Sequence, residues 1–369
     1  MNRRLLSTFL DFVKIDSESG REEEFLTFLR KRLEEDFLAE CRRDAFGNLI
    51  ARLPAVNSDV RVPVLFGAHA DTVKPGIGIK PVIENGIVRS SGDTVLGADD
   101  KAGIAEFVEA LRVARCRPPV EFVVTREEEQ GLRGAKHLDY AVIESKYGFV
   151  LDMDELNVVV VGGPSRMLLE IEVRGRAAHA AMEPERGVSA IRVASRAIAV
   201  LDEGRIDEET TVNVGVIEGG TAVNVVPERV RVSMECRSLE HSRCLKRSKL
   251  CEQVFLSVAE YMGAEAQVNS KLAYRAWRVS EESELVKLAR RALEGAGLQP
   301  ELRTVLGGTD AAIYNEHGIE TVVLGTGVRR EHSTEEHISI RDMETATSAF
   351  ARLLEELGEA DVLLGGTQG

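Results

Sequence analysis

The sequence is missing what several classes of protein require. No apolar run approaches the length that spans a bilayer, no basic block interrupts a chain of formal charge −14, and no Cys-x-x-Cys occurs among its five cysteines. The first absence argues against a membrane helix. The second argues against nucleic-acid and anionic-membrane partners, which an acidic surface repels. The third argues against a disulfide framework or a cysteine zinc site, because Cys41, Cys116, Cys236, Cys244 and Cys251 are odd in number and widely spaced. The opening residues Met1 to Leu10 imitate a signal peptide, but Asp11, Lys14 and Asp16 break the run and no small-residue cleavage site follows. Leu5, Leu6, Phe9, Phe12 and Val13 fall instead on one helical face. A cytoplasmic location is the expectation.

What is present reads as a globular chain. Its 369 residues exceed one ordinary core, so two domains are expected, and 44% hydrophobic with 29% charged residues is a soluble balance. Ser17–Phe37 reads as a helix, with Ser19 and Glu22 spaced as a capping box. Asn85-Gly86 between two short apolar stretches signals a hairpin. Four apolar runs of strand length, Val62–Gly67, Val120–Thr125, Tyr147–Leu151 and Thr321–Leu324, alternate with helical segments near Lys101–Arg115, Gly134–Glu144, Ser280–Ala296 and Asp342–Leu357. This alternation predicts an α/β fold with a mixed, mostly parallel sheet and flanking helices. Between them, half-exposed strands at Arg166–Gly175, Thr210–Gly219 and Val225–Arg237 and helices near Gly187–Asp202 and His241–Met262 predict an inserted α+β domain. The expected boundaries are 1–162 with 274–369 for the first domain and 163–273 for the insert, with Gly162-Gly163-Pro164 as a hinge. The C-terminal Gly365–Gly369 reads as unstructured.

The chemistry lies at the ends of the apolar runs. Val64 to Ala68 is followed by His69 and Asp71, Val120–Thr125 by Glu127, Glu128 and Glu129, Phe149 to Leu151 by Asp152, and Val322 to Gly325, after a glycine loop, by His332. Asp99 and Asp100 stand where a helix begins. Ligands of an open α/β sheet bind beyond the carboxyl ends of its strands, and here five segments direct acids and imidazoles to that rim. Carboxylates gathered closely raise one another's pKa values, and a pair of divalent ions removes the penalty. Imidazole with carboxylate, and no thiolate, suits zinc, manganese or cobalt. Two such ions lower the pKa of a shared water toward neutrality, which suits attack on an amide carbonyl. Each feature alone has a plainer reading: His69 and Asp71 as turn residues, the glutamates as a solvated turn, Asp99 and Asp100 as a helix cap, Asp152 as a turn cap. Their joint placement at strand ends favours the metal site.

In order, His69-Ala70-Asp71, Gly97-Ala98-Asp99-Asp100-Lys101-Ala102-Gly103, Glu128-Glu129-Gln130-Gly131, Asp152 and His332 resemble the metallopeptidase M20 family, in the manner of its peptidase T-like branch. Gly175 to Ala180, Gly219 to Pro227 and Gly307 to Ala311 extend the resemblance from about Leu5 to about Leu357. It implies that His69 and Asp152 hold one metal, Glu129 and His332 the other, and that Asp99 bridges them. Those three carboxylates against two divalent ions leave one positive charge, which favours an anionic oxygen nucleophile. Asp71 would orient a histidine ligand and Glu128 would be the general base. A cis peptide is implied at Asp99–Asp100. The insert resembles a lid that also supplies dimer contacts, with His179 as oxyanion donor and Asn224 and Arg237 as holders of a substrate carboxylate. Gly308, Thr309 and Asp310 would line the substrate pocket; their plainer reading is a helix N-cap.

Arg126-Glu127 departs from the family pattern, and three successive glutamates leave the register open by one; Gln130-Gly131 selects Glu128 and Glu129. His332 is preferred over His337 because it comes first after Gly325-Thr326-Gly327, while His137, His241 and His317 lie in ordinary helical contexts. The activity implied is that of a di-metal, zinc-type exopeptidase, most like a tripeptide aminopeptidase, acting as a homodimer on short peptides. A deacylase, dipeptidase or carboxypeptidase taking N-acyl amino acids or dipeptides is the alternative of the same mechanism. A non-catalytic metal- or peptide-binding relative is the alternative of another class; it would have lost a ligand or the base. A phosphoesterase would want more cationic groups than Arg237 offers.

Overall fold

The protein is described from a computed structural model covering residues 2–359, so Gly365–Gly369 lies outside the described residues. Its contacts divide the chain into two units. The described part of the first comprises residues 2–162, 278–304 and 308–359; the second comprises Gly163–Trp277 with Val305–Gly307.

The first unit is built on a mixed sheet. Its centre is four adjacent parallel strands in the spatial order Val120–Thr125, Val64–His69, Tyr147–Met153 and Glu320–Gly325. Nearly all their residues are buried. Both faces are covered, which is why these segments read as continuous apolar runs rather than as alternating ones. Leu49–Leu53 and Val158–Gly163 extend the sheet antiparallel on either side. Helix Ala98–Val113 packs against the sheet, with Asn2–Val13 and Ile340–Glu359 beside it, and Leu5, Phe9, Phe66, Phe107, Phe122 and Phe350 are fully or almost fully buried. A small antiparallel sheet of Pro81–Glu84, Ile87–Ser90, His337–Ser339 and Val328–Arg329 includes the hairpin turned by Asn85-Gly86.

Two expectations are corrected. The second helix spans Glu23–Phe37, not Ser17–Phe37, and no side chain caps it. Ser19 and Glu22 are engaged elsewhere: the Ser19 hydroxyl donates to Asp71 and Glu22 pairs with Arg126. Gly134–Glu144 is not one helix but a turn at Arg133–Lys136 and a 3-10 turn at Tyr140–Val142. His137 and Asp139 leave helical backbone between the two turns, and the Glu121 carboxylate accepts the N–H groups of Glu144 and Ser145 just beyond them.

The second unit is an antiparallel sheet in the order Gly204–Asp207, Thr210–Gly219, Arg229–Ser238, Ser165–Arg174 and Glu265–Tyr274. Ser165–Arg174 buries alternate residues, and Leu169, Ile171, Val173, Val232 and Met234 form a core with helices Ala190–Ala199 and His241–Tyr261. Cys236, Cys244 and Cys251 are buried in it, and all five cysteines are free thiols. No helix among the described residues is long and apolar enough to cross a membrane.

Candidate metal centre

The carboxyl ends of the central strands meet the start of helix Ala98–Val113 and the loop before His337–Ser339. His69 is the last residue of its strand, Asp152 lies one residue from the end of its own, and Glu128 and Glu129 follow Thr125 by a short turn. Asp99 opens the helix after Gly97, in left-handed backbone with φ 66°, and the Asp99–Asp100 peptide is cis.

Asp99 sits between two imidazoles. Its Oδ1 lies 3.0 Å from His69 Nε2 and its Oδ2 lies 3.2 Å from His332 Nε2. His332 Nε2 is also 2.7 Å from Glu129 Oε1, and His69 Nε2 is 3.8 Å from Asp152 Oδ1. One face of the cluster thus carries His69 and Asp152, the other His332 and Glu129, with a single carboxylate spanning them. Coordinating atoms of His69, Asp99 and Glu129 lie within 4.8 Å of one another, as do those of His69, Asp100 and Asp152. Glu127 turns away to pair with Arg133, leaving Glu128 buried and Glu129 on the cluster. His337 lies in a strand with its Nδ1 on the Glu335 carbonyl.

The electrostatics match a cation site. Burial would lift Asp99, but hydrogen bonds from His332 and His69 hold it below the carboxylate range. Donating to the Asp99 and Glu129 carboxylates pushes the His332 imidazole up to about 10. Burial lifts Asp152 well above its ordinary value, with Asp99, Glu129 and Asp310 adding to the rise. Burial likewise lifts Glu128, helped by Asp152, Asp310 and Glu129. Buried carboxylates that raise one another this way are relieved by positive charge placed among them. The donor set, two imidazoles and three carboxylates with no thiolate, fits borderline divalent ions such as zinc.

Asp71 meets both His69 and the turn of the glutamates. The nearest acceptor for His69 Nδ1 is the Asp71 backbone carbonyl at 2.9 Å, whereas its carboxylate Oδ1 stands at 3.6 Å. The carboxylate also accepts the N–H of Glu128 at 2.9 Å, the N–H of Glu129 at 3.3 Å and the Ser19 hydroxyl at 2.7 Å. It therefore anchors the turn that presents both glutamates.

The profile of peptidase family M20/M25/M40 matches residues 65–356. The chain belongs to this family. It is a member of a hydrolase class, and several relatives match it over nearly its full length. The uncharacterized protein YqjE of Bacillus subtilis (strain 168) is 37% identical, over 96% of this chain and 98% of that one. The crystal structure of aminopeptidase PepT from Bacillus cereus ATCC 10987 superposes with a TM-score of 0.88 at 38% identity, covering 97% of this chain and 99% of that one. A tripeptidase from Staphylococcus aureus subsp. aureus mu50 gives a TM-score of 0.91 at 33% identity, with the same coverage.

The remaining M20 motif residues divide between the units. Asp310 is buried and accepts from Thr125 Oγ1 at 2.5 Å through Oδ2, while its Oδ1 has no hydrogen-bond partner among the described residues; burial pushes it up to about 6. Thr309, beside Gly308, takes the Ala311 N–H on its hydroxyl, so it is Thr309 and not Asp310 that caps the short helix Ala311–Glu316. In the second unit His179 is exposed and bridges to Val225, and its Nδ1 accepts the N–H groups of Ala181 and Met182 at 3.2 Å. That assignment leaves the proton on Nε2. Asn224 is exposed, and its carbonyl accepts the Ala180 N–H. Arg237 directs Nε and Nη2 to Glu235 and Nη1 to the Leu306 carbonyl.

Sequence reasoning missed the contacts that four residues make. Ser19 braces Asp71; Glu22 accepts the N–H of Glu127 at 3.2 Å and pairs with Arg126 at 2.7 Å; Asp100 accepts the His69 N–H at 3.2 Å; and Glu336 binds the backbone of the Asp99 loop. Ser19 and Glu22 have the spacing of a helix cap, and Glu335-Glu336 looks like a solvated acidic pair. Neither pattern signals a long-range partner.

Proposed function

We propose that the chain is a metal-dependent exopeptidase that removes the amino-terminal residue from short peptides, tripeptides above all. The carrying observation is Asp99, whose two oxygens each meet a different imidazole, with Asp152 beyond one and Glu129 beyond the other. In this reading His69, Asp152 and Asp99 hold one divalent ion, and His332, Glu129 and Asp99 hold a second, zinc in the first instance. When bound, such a pair polarises an amide carbonyl and acidifies a water.

The chain's own residues supply the rest. Glu128, buried and lifted in pKa beside the cluster, takes the proton of the attacking water and passes it to the leaving amine. Asp71 holds Glu128 and Glu129 by their backbone N–H groups, so base and ligand keep their relative positions. His179, with its proton on Nε2, donates to the developing oxyanion. Gly308, Thr309 and Asp310 line the substrate pocket. Asn224 and Arg237 read the far carboxylate of the peptide, which exchanges with Glu235 on the guanidinium fork. The second unit serves as a lid and dimerisation domain. The preference for tripeptides is drawn from the aminopeptidase PepT and the tripeptidase that the chain resembles over nearly its full length.

A panel of di-, tri- and N-acyl peptides assayed with zinc, cobalt and manganese tests this reading. Cleavage of free-amino tripeptides, lost on chelation and restored by metal, is expected. Preferred cleavage of N-acyl amino acids would replace it with a deacylase, and activity that survives complete metal removal would overturn the mechanism. Sedimentation at micromolar concentration tests the dimer.

A further inference from the structure

Glu336 is 2% exposed, and its carboxylate is filled by backbone donors. Oε2 accepts the N–H of Leu96 at 2.7 Å and of Gly97 at 2.8 Å, and Oε1 accepts the N–H of Asp99 at 2.9 Å. A buried carboxylate is tolerated when its oxygens are hydrogen-bonded, and these three donors also lie at the positive end of helix Ala98–Val113. Gly97 carries φ 66°, a conformation that side-chain-bearing residues rarely adopt, and its N–H is directed to the same oxygen as that of Leu96.

Glu336 lies in the loop that carries His332. The Ser333 hydroxyl donates to the Arg330 carbonyl at 2.7 Å, and the Glu336 N–H donates to the Ser333 carbonyl at 3.1 Å. Immediately after it, His337–Ser339 pairs with Ile87–Ser90. The loop is therefore tied internally and at its end. Two segments distant in sequence meet twice: His332 faces the Asp99 carboxylate at 3.2 Å, and Glu336 grips the Asp99 backbone.

We infer that Glu336 is a positioning residue that fixes the Leu96–Asp99 backbone against the His332 loop, so that both Asp99 oxygens reach their imidazoles and metal uptake depends on the grip. The inference rests on the reading of Asp99 and His332 as metal ligands. Glutamine in its place keeps the volume but has one acceptor oxygen and an amide that turns N–H toward N–H, so at least one of the three bonds is lost.

The test uses the full chain stripped of metal, with zinc binding followed by calorimetry and backbone amide exchange read at Leu96, Gly97 and Asp99. Glu336→Gln should weaken zinc binding by about tenfold or more and speed exchange at those amides, with exchange in the middle of the same helix unchanged. Turnover at saturating zinc should return close to the wild-type value, which separates lost metal affinity from lost chemistry. Glu336→Asp, which keeps the charge but shortens the reach, should fall between the two; it also carries the test if the glutamine variant does not fold. Glu335→Gln, altering an exposed neighbour that pairs with Arg330, should match wild type. Wild-type zinc affinity in Glu336→Gln, or weakened affinity without faster exchange at the three amides, would overturn the inference alone. A wild-type chain that takes up neither zinc, cobalt nor manganese would sink the metal reading and the inference with it.

Discussion

Asp99 and Glu128 carry opposite burdens in one cluster of acids and imidazoles. Hydrogen bonds from His69 and His332 hold Asp99 low despite its burial, while burial and neighbouring carboxylates lift Glu128. Glu128→Gln should retain both metals, measured by elemental analysis, and lose about 10²–10⁴-fold in turnover. Its partner experiment is His179→Ala, expected to lower turnover with metal content unchanged; unaltered turnover would return His179 to an ordinary exposed loop residue. At this scale the sequence was legible for side chains whose type announces chemistry. Glu336 was not legible, since a carboxylate that binds backbone amides from a remote segment looks no different from one that faces water. Ser19 was read as a cap for the same reason.

Elements place these residues through close approach as much as through regular structure. Helix Ala98–Val113 is buried along almost its whole length, and a Cβ added at Gly103 would overlap the Asp100 carboxylate and the Leu151 carbonyl. The glycine in Gly97-Ala98-Asp99-Asp100-Lys101-Ala102-Gly103 thus lets the helix lie on the strand that carries Asp152. Gly103→Ala should destabilise by about 1–3 kcal/mol in denaturant unfolding and weaken metal binding, because the overlapped atoms are backbone and a held carboxylate. A stable variant with full metal affinity would show that the helix can shift at no cost. The four central strands were readable from sequence because burial on both faces leaves an uninterrupted apolar run. The expected helix Gly134–Glu144 breaks between Lys136 and Tyr140, where His137 and Asp139 leave helical backbone.

At the scale of the whole molecule, acidic surface charge and a cation-seeking centre act together. The chain carries a net charge of −14, and several of its carboxylates are concentrated around two imidazoles. Divalent ions should raise the melting temperature of the first unit, since a ligand that binds only the folded state stabilises it by about 2.7 kcal/mol at a hundred times its dissociation constant. The second unit has its own core of Leu169, Ile171, Val173 and Phe255, so its transition should move little. Calorimetry with and without zinc measures both, and an unchanged first transition would argue against the site. What the sequence determined by itself was the fold class, the order of motifs and the residue types at the strand ends, because periodicity and composition are local properties of the chain. What only the tertiary structure decided was which oxygen meets which imidazole, that Asp71 braces a turn through its carboxylate, and that Glu336 grips the loop of Asp99. Those outcomes depend on backbone donors brought together from segments far apart in sequence, and no local pattern encodes such a meeting.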